Sequence, residues 1–357
     1  MKKKTVLVGM SGGVDSSVVA LMLKEQGYNV IGVTMQIWQG DKEAVPPIQN
    51  ACFSPDEEKN IKEIEKICEK IGIPFYPIDL RAEFQEKVIK YFKSEYSEGR
   101  TPNPCMQCNF HLKFGALLEK ARKIGLDFDY FATGHYVQVE YNQEKKRYLL
   151  KKGKDELKDQ SYFLSFLKQK QLAQCMFPLG GFTKDKVREK AKSLGLGLEA
   201  KKQSQNFIAG GHKTLLENEA NHGNILDLEG NVLGKHKGIQ FHTIGQRKGL
   251  GLSSPFPLFV LAINKEKNTI TVGPKAKLYK KELIADKINW ILFKKPDETI
   301  EVTAKIRYVQ KESKALVIPQ NNSEVLVEFE NSQMAITPGQ IVVFYQEDYV
   351  VGAGIIK

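Results

Sequence analysis

The chain has 357 residues, and its 53 Lys and Arg against 42 Asp and Glu give a formal net charge of +11. This length predicts two or three domains, and a composition that is 41% hydrophobic and 27% charged excludes a disordered chain. No apolar run approaches the roughly 18 residues of a membrane span, and the apolar segment Thr5–Met10 is too short for a signal peptide, so we expect a cytoplasmic protein. Five sparse cysteines argue against a disulfide framework, and the positive charge favours a polyanionic partner, RNA or DNA.

Residues 1–135 alternate between strand and helix patterns. The predicted strands are short apolar runs at Val6–Met10, Val30–Met35, Phe75–Leu80 and Tyr130–Gly134. The predicted helices have apolar residues at helical spacing over Asp15–Gln26, Glu57–Ile71, Glu83–Tyr96 and Asn109–Ile124. This alternation predicts a parallel sheet covered on both faces, in which ligands bind outside the carboxyl ends of the strands.

Beyond residue 137 the pattern changes. We expect a hairpin over Val137–Leu150, helices over Ser161–Cys175 and Thr183–Leu194, and β-type runs at Phe259–Ile263 and Thr269–Val272. Further strands are predicted at Val302–Tyr308, Ser313–Val317, Glu324–Phe329, Gln340–Tyr345 and Tyr349–Ile356, and they indicate a small barrel. The predicted fold class is therefore α/β, with a parallel-sheet N-terminal domain over 1–205, a small central domain over 206–279 and a C-terminal β-barrel domain over 280–357.

The segment Gly9–Ser17, with the sequence GMSGGVDSS, follows a predicted strand and opens a predicted helix. Its glycines let the backbone turn tightly, and the helix N-terminus adds partial positive charge, so the segment suits a phosphate. Asp15 fits such a site if Mg²⁺ bridges its carboxylate and the phosphates. The alternative is a capped turn without a ligand. The Walker sequence GxxxxGK[ST] is absent, and the dinucleotide-like Gly195–Ala200 follows a predicted helix instead of a strand.

The SGGVDSS sequence resembles the pyrophosphate loop of the ATP α-hydrolases, which cut ATP to AMP and pyrophosphate. The resemblance implies an adenine-nucleotide α-hydrolase-like N-terminal domain with ATP as its nucleotide. The ATP-binding residues it implies are Gly9, Met10, Ser11, Gly12, Gly13, Val14, Asp15 and Ser16, with Met35 and Gly134 against the adenine. For Met35, ordinary core packing is the alternative.

A second informative segment is Gly99–Phe114, with the sequence GRTPNPCMQCNFHLKF. Its two prolines predict an extended loop, and Cys108 then falls at the N-cap or first turn of the helix expected from Asn109. A helix N-terminus favours the thiolate and lowers a cysteine pKa, with Arg100 and Lys113 as possible contributors. Cys108 is therefore a candidate nucleophile or sulfur carrier. A buried structural thiol and a metal ligand are the alternatives.

This segment resembles the catalytic loop of tRNA-specific 2-thiouridylases of the MnmA type. Further matches follow in order at Ala132–Tyr136, Lys158–Leu164, Phe177–Gly180, Lys202–Gln205, Gly223–Asp227, Gly230–Gly234, Thr243–Gly251, Arg307–Tyr308 and Pro338–Gln340. The resemblance implies that the wobble uridine of tRNA is thiolated at C2. ATP would adenylate the C2 oxygen, and a persulfide on Cys108 would deliver sulfur obtained from a cysteine desulfurase or a persulfide carrier.

The same resemblance implies the residues that contact tRNA. Asn103, Pro104 and Cys105 would lie against the target base, and His135, Lys158, Asp159, Gln160, Arg307, Tyr308 and Gln340 would contact the rest of the tRNA. Wobble bases lie in a single-stranded loop and can be splayed into a pocket. Two alternatives stay open: Arg307 and Tyr308 fit an ordinary exposed strand, and Lys158–Gln160 fits a cap for the helix expected from Ser161.

The cysteines depart from the family pattern. Many members carry a second cysteine in a stretch that corresponds to Ser204–Gly211, where this chain has none, and many have Asp where this chain has Cys105. The resulting Cys105-Met-Gln-Cys108 has three interpretations: a redox pair in which Cys105 resolves the persulfide, part of an iron–sulfur site with Cys52 as third ligand, or two unrelated thiols. Cys68 and Cys175, on apolar helix faces, are expected to be structural.

Three functions remain at this point. The first is ATP-dependent tRNA 2-thiolation. The second keeps the ATP chemistry with a small metabolite as acceptor, and the third is an RNA-binding protein whose nucleotide loop is only structural. Nothing in the sequence indicates an obligate partner subunit, so we expect a monomer.

Overall fold

The structure is a computed structural model that describes residues 3–39, 51–193, 195, 197, 206–208, 215–216, 221–320 and 323–357. The chain divides into two compact units. Unit 1 comprises residues 1–88, 105–211 and 348–350, and unit 2 comprises residues 89–104, 212–347 and 351–357. Within the described ranges, no helix has the length and apolar character needed to cross a membrane.

A five-stranded parallel sheet lies at the centre of unit 1. Its strands are β1 (Thr5–Gly9), β2 (Asn29–Gln36), β4 (Phe75–Asp79), β5 (Tyr130–Ala132) and β8 (Cys175–Met176), in the order β4-β2-β1-β5-β8. The short strands β3 (Ala51–Phe53) and β9 (Asn206–Ile208) pair in parallel, and β6 (Val137–Asn142) and β7 (Arg147–Lys152) form the expected hairpin. Because β1 is the middle strand, its carboxyl end is flanked by β2 and β5, which is where ligands of such sheets bind.

The helices of unit 1 and the helical segment that precedes the cysteines are mostly where the sequence predicts them. They are α1 (Val14–Glu25), α2 (Glu57–Ile71), α3 (Arg81–Phe84), α4 (Lys90–Ser97), α5 (Pro104–Gln107), α6 (Leu117–Lys123), α7 (Ser161–Leu164), α8 (Gln169–Leu172) and α9 (Lys184–Ser193). Two π-helical segments, Gln85–Ile89 and Cys108–Ala116, link α3 to α4 and α5 to α6. The core packs Val6 and Val8 of β1 against α1, α2 and α9.

Unit 2 contains a small four-stranded sheet and a closed barrel. The sheet has β10 (Gly223–Leu226), β11 (Val232–His236), β12 (Phe259–Asn264) and β13 (Thr269–Gly273), in the order β11-β10-β13-β12. The antiparallel barrel has β14 (Tyr279–Trp290), β15 (Ile300–Lys305), β16 (Ser313–Pro319), β17 (Val325–Met334), β18 (Ile341–Gln346) and β19 (Tyr349–Ile356). Pairing of β14 with β19 closes the barrel, so the α/β class with a C-terminal six-stranded barrel is confirmed.

Three local predictions are wrong. The expected helix over Ser161–Cys175 is two four-residue helices followed by β8, so Cys175 lies in a strand that pairs with Phe131. Arg307 and Tyr308 follow β15 in a turn instead of continuing the strand. The helix expected from Asn109 begins at Pro104, so Cys108 is its fifth residue and not its N-cap.

Candidate active site

The loop between β1 and α1 is held in place by its own side chains. Gly12 has φ +70°, which favours glycine, and Gly13 is the residue that precedes α1. The Ser11 N–H donates to Ser16 Oγ at 3.2 Å, and the Ser17 hydroxyl donates to the Gly13 carbonyl at 2.9 Å. Helix α1 therefore begins directly after a preformed loop at the carboxyl edge of the sheet. The N-terminus of the helix gives this place a partial positive charge.

Asp15, in that first turn, is the centre of a polar network. Lys184 Nζ donates to both carboxylate oxygens of Asp15, at 2.6 and 2.8 Å, and the Tyr136 hydroxyl donates to Oδ1 at 2.8 Å. The Lys184 side chain is only 7% exposed, and Asp155 accepts the Lys184 backbone N–H at 2.8 Å at the start of α9. Burial, reinforced by the Asp15 charge, raises the pKa of Tyr136, so its hydroxyl stays a hydrogen-bond donor.

Gly134 and Met35 flank this loop. A side chain at Gly134 would place its Cβ 2.9 Å from Asp15 Cβ and 3.0 Å from the Ser16 nitrogen, so only glycine fits. Met35 is half-buried near the end of β2, opposite Ile78 of β4, two residues beyond the position that pairs with Gly9. Both residues implied by the resemblance therefore lie at the carboxyl edge of the sheet, beside the loop.

Cys108 begins the π-helical segment Cys108–Ala116. Because π-helical hydrogen bonds join residues five apart, the segment brings Lys113 to the same side as Cys108. Burial raises the pKa of the Cys108 thiol to about 11, against the opposing charge of Lys113. The expectation of a lowered pKa at a helix N-terminus is therefore wrong, because desolvation exceeds the effect of the cation.

The other two cysteines of interest are close enough to interact with Cys108 electrostatically. Desolvation by the residues packed around the Cys105 thiol, followed by the charge of Cys52, raises its pKa to about 12, although part of the residue is exposed to solvent. Cys52 is also exposed and lies on β3, where the neighbouring Phe53 stacks on Phe84 with ring centroids 5.1 Å apart. Within the described residues, no three His, Cys, Asp or Glu side chains are arranged as a metal site.

His135 packs between aromatic rings in the same unit. Its ring centroid lies 5.9 Å from that of Phe114 and 6.3 Å from that of Phe177, and Nδ1 is 2.7 Å from the Thr133 hydroxyl. Burial, with a smaller contribution from Lys113, lowers the pKa of His135 to about 3. The imidazole is therefore neutral at physiological pH and can take part in hydrogen bonding and stacking, but not as a cation.

Lys158, Asp159 and Gln160 lie just before α7. Asp159 is 6% exposed and accepts the N–H groups of Gly153 and Ser161 and the Ser161 hydroxyl, at 3.0, 3.1 and 2.7 Å. Gln160 Oε1 accepts the Tyr136 N–H at 3.0 Å. Asp159 therefore accepts hydrogen bonds at the start of α7, as a helix cap would. Gln160 connects the same turn to Tyr136, whose hydroxyl donates to Asp15.

In unit 2, Gln340 holds the segment that leads to the cysteines. Its Nε2 donates to the carbonyls of Thr101 and Pro102 at 3.0 Å each, directly before the buried Asn103 and half-buried Pro104. Arg307 donates to the Ala335 carbonyl and, at 3.2 Å, to the Thr337 hydroxyl, and Tyr308 follows it in the turn. Gln340 therefore lies beside the segment that contains Asn103. Arg307 instead bonds the chain just after β17, which ends at Met334.

Sequence reasoning missed Lys184 and Tyr136. A usable signal existed for Lys184, because a lysine at the start of a helix is disfavoured by the helix dipole unless an anion pairs with it. Tyr136 lies inside the ATGHY segment, but its pattern gave no indication of a hydrogen bond to a residue 121 positions away. The stretch Ser204–Gly211 lies outside the described residues apart from the backbone of 206–208.

Comparisons with known proteins cover the whole chain. Three domain models match in order: tRNA methyl transferase HUP domain over residues 4–209, tRNA methyl transferase PRC-barrel domain over 213–274, and Aminomethyltransferase beta-barrel domain over 280–356. A "tRNA-specific 2-thiouridylase MnmA" from Clostridium botulinum is 49% identical over 100% of this chain and 99% of its own length. A "tRNA-specific 2-thiouridylase MnmA 1" from Caldanaerobacter subterraneus is 49% identical over 99% and 97%. The chain therefore belongs to the MnmA family of tRNA-specific 2-thiouridylases.

Proposed function

We propose that this chain replaces the C2 oxygen of the wobble uridine of tRNA with sulfur, using ATP. One observation carries the proposal. Unit 1 contains both a preformed loop at the N-terminus of α1 that suits an anion and a π-helical segment on which the cation Lys113 lies near Cys108. The chain is also similar over its full length to 2-thiouridylases. The activity named for those relatives is proposed here for this chain.

The nucleotide would bind at the carboxyl edge of the parallel sheet. The loop Gly9–Ser16 and the buried ammonium of Lys184 would hold its phosphates, and Met35 and Gly134 would contact the adenine. The donor set fits Mg²⁺–ATP, since Asp15 supplies a carboxylate oxygen of the kind Mg²⁺ prefers and Lys184 supplies a balancing cation. Asp15 would hold the Mg²⁺, which would screen the negative charge of the phosphates.

The reaction divides into three balanced steps. The uridine C2 oxygen attacks the α-phosphorus of ATP, which forms a C2–O–AMP bond and releases pyrophosphate. The terminal sulfur of a Cys108 persulfide then attacks C2, and AMP leaves with the former C2 oxygen. Finally the Cys105 thiolate attacks Cys108 Sγ, which forms a Cys105–Cys108 disulfide and leaves the second sulfur on the base. An external thiol reductant restores both thiols.

Lys113 favours the anionic forms of Cys108 on which sulfur transfer depends, because its charge opposes the desolvation that raises the pKa of this thiol. A cluster-bound sulfide is the competing form of the sulfur step. It would need Cys52, Cys105 and Cys108 as ligands of one site. The three thiols are near enough to interact electrostatically, but among the described residues they are not arranged as a metal site, and we route the sulfur through Cys108.

Asn103, Pro104 and Cys105 would lie against the flipped base. The residues that would contact the rest of the tRNA are His135, Lys158, Asp159, Gln160, Arg307, Tyr308 and Gln340. Residues 1–205 would form the catalytic domain, 206–279 the central tRNA-contacting domain and 280–357 the barrel domain. The enzyme would work as a monomer in the cytoplasm, supplied by a cysteine desulfurase or persulfide carrier.

Nucleoside mass spectrometry tests the proposal. Purified protein given tRNA, Mg²⁺–ATP and a persulfide donor should form 2-thiouridine, and Cys108→Ser should form none. Cys68→Ala, at a thiol buried in α2, is the matched control and should retain activity. Thiolation by Cys108→Ser would remove the persulfide assignment. ATP–pyrophosphate exchange that depends on a small acid and ignores tRNA would favour a different acceptor.

A further inference from the structure

The irregular segment Arg247–Leu258 in unit 2, here called the 247–258 loop, has no helix or strand of its own. Its leucines nevertheless fix it to the core of the four-stranded sheet: Leu250 is buried among Ile225, Val260 and Ile270, and Leu252 and Leu258 pack against the same cluster. Gly249 and Gly251 alternate with these leucines and have φ values of +76° and +67°. The loop is therefore anchored at three points by apolar contacts.

Phe256 lies on the outer side of this anchored loop. It is 75% exposed, which makes it the most exposed aromatic side chain among the described residues. Pro255 and Pro257 flank it and restrict its backbone, and both are exposed as well. A phenylalanine ring displayed on a restrained backbone loses little conformational entropy when a flat partner stacks on it.

The charged side chains of the 247–258 loop all have one sign. Arg247 and Lys248 are exposed, and neither forms an ion pair with a described residue. The 247–258 loop contains no Asp or Glu. Arg247, Phe256, Ser254 and Leu252 line a common concave space of about 390 Å³, open to solvent on one side. The ligand that fits is anionic, has a planar apolar face and reaches the site from solvent.

We propose that the 247–258 loop binds one unpaired nucleotide of the tRNA, with its base stacked on Phe256 and its phosphate held by Arg247. Stacking on an aromatic ring beside a phosphate-binding cation is how proteins hold single-stranded nucleotides without reading their sequence. A protein partner is less well matched, because a stable protein interface needs a broader apolar patch than one ring and two prolines. The inference rests on the proposed function, since that function supplies the RNA.

The test measures tRNA affinity against salt concentration for four variants. Phe256→Ala should weaken tRNA binding about tenfold, and Phe256→Trp should restore it. Arg247→Ala should weaken binding and reduce the salt slope by about one, because one phosphate contact is lost. Lys267→Ala removes another exposed cation, from the β12–β13 turn, and should leave both quantities close to wild type. Substitutions at such exposed positions should not change the melting temperature.

Thiolation measured on the same preparations separates this inference from the proposed function. If the wild type thiolates tRNA and both Phe256→Ala and Arg247→Ala bind tRNA with normal affinity, the inference is overturned and the proposed function stands. A fall in sulfur transfer from a protein donor, with unchanged tRNA affinity, would assign the loop to that donor and also overturn it. Wild type that forms no 2-thiouridine, yet binds tRNA in a manner that depends on Phe256, overturns the proposed function and supports the inference.

Discussion

The nucleotide loop and the cysteine segment lie in the same chain but are built in opposite ways. Apart from Asp15, which pairs with distant residues, the loop Gly9–Ser17 is organised by hydrogen bonds between residues a few positions apart, such as that between Ser11 and Ser16. The pKa of Cys108 depends on desolvation and on the charge of Lys113, five residues further along the π-helical segment. Binding by backbone groups can therefore be encoded locally, whereas thiol chemistry depends on the packed environment.

The largest effect is expected for substitution of Lys184, whose ammonium group bonds Asp15 beside the nucleotide loop. Lys184→Met leaves the Asp15 carboxylate without its ammonium and should lower stability by about 3 kcal/mol. It should also weaken ATP binding at least about a hundredfold, or about 3 kcal/mol, as loss of a phosphate-binding charge does. Lys184→Arg should recover part of both. Calorimetric titration with ATP and thermal melting measure the two quantities.

The matched control for that variant is Lys190→Met on the same helix. Lys190 pairs with Glu25 at 3.3 Å, with both side chains at least one-third exposed, and such surface pairs contribute about 0–1 kcal/mol. Its loss should leave ATP binding unchanged. Lys184→Met protein that binds ATP as wild type does would show that Asp15 and Lys184 form only a structural pair.

The second prediction concerns the close approach at Gly134. Gly134→Ala should displace the start of α1, because the added Cβ would lie within 3.0 Å of Asp15 and Ser16. We expect the KM for ATP to rise about tenfold, which corresponds to about 1.4 kcal/mol of lost binding. Gly181→Ala is the control, since nothing lies within 4 Å of its added Cβ. Equal KM values for the two variants would contradict the close-approach argument.

The third prediction addresses the cysteine segment directly. With a pKa of about 11, Cys108 should be alkylated about ten times faster for each pH unit between 7 and 10, since the thiolate fraction rises in that proportion. Lys113→Met should slow alkylation at pH 8 roughly threefold, and Lys113→Arg should not. Peptide mass spectrometry that resolves Cys105 from Cys108 measures both rates. A rate that levels off near pH 7 would mean that Cys108 is already a thiolate.

The smallest expected effect is the pH dependence of stability that His135 and His236 cause. Burial lowers the pKa of His135 to about 3, with a smaller contribution from Lys113, and it also lowers the pKa of His236. The unfolded chain therefore binds more protons below about pH 6.5, and stability must fall as pH falls. His135 alone should contribute about 1.4 kcal/mol of loss between pH 7.5 and 5.5. Urea unfolding at both pH values measures it.

His135→Gln should reduce this pH dependence, and His222→Gln, at an exposed histidine, should leave it as it is. An unchanged slope in His135→Gln would mean that its imidazole is protonated in the folded protein. The variant also reports on the proposed tRNA contact, because glutamine keeps hydrogen-bonding capacity but loses the stacking with Phe114 and Phe177.

The same contrast explains which parts of the fold the sequence predicts. The helix Glu57–Ile71 is predicted to the residue, because Ile64, Ile67 and Ile71 mark one face and Gly72 ends it with φ +71°. The strand Tyr279–Trp290 is missed, because Lys280, Lys281 and Glu282 obscure its alternation. The helix is predictable because its pattern of apolar residues repeats over a short range. The strand is not, because tertiary packing determines it.

The candidate site divides in the same way. The nucleotide loop and its helix were readable from nine consecutive residues, because glycines, serines and a helix start act together locally. The Asp15–Lys184 pair joins positions 169 apart, and the π-helical geometry at Cys108 depends on tertiary packing. Neither feature has a periodic signal in the sequence, so the raised pKa of Cys108 could not be predicted from it.

The central claim is that sulfur passes through Cys108 to the tRNA. The most direct measurement loads the protein with a persulfide of heavy-isotope sulfur, removes the donor, and adds tRNA with Mg²⁺–ATP for a single turnover. The heavy sulfur should appear in 2-thiouridine only with ATP present, and in an amount no greater than the Cys108 persulfide initially loaded. Heavy sulfur that stays on the protein while tRNA is thiolated, or transfer in Cys108→Ser, would contradict it.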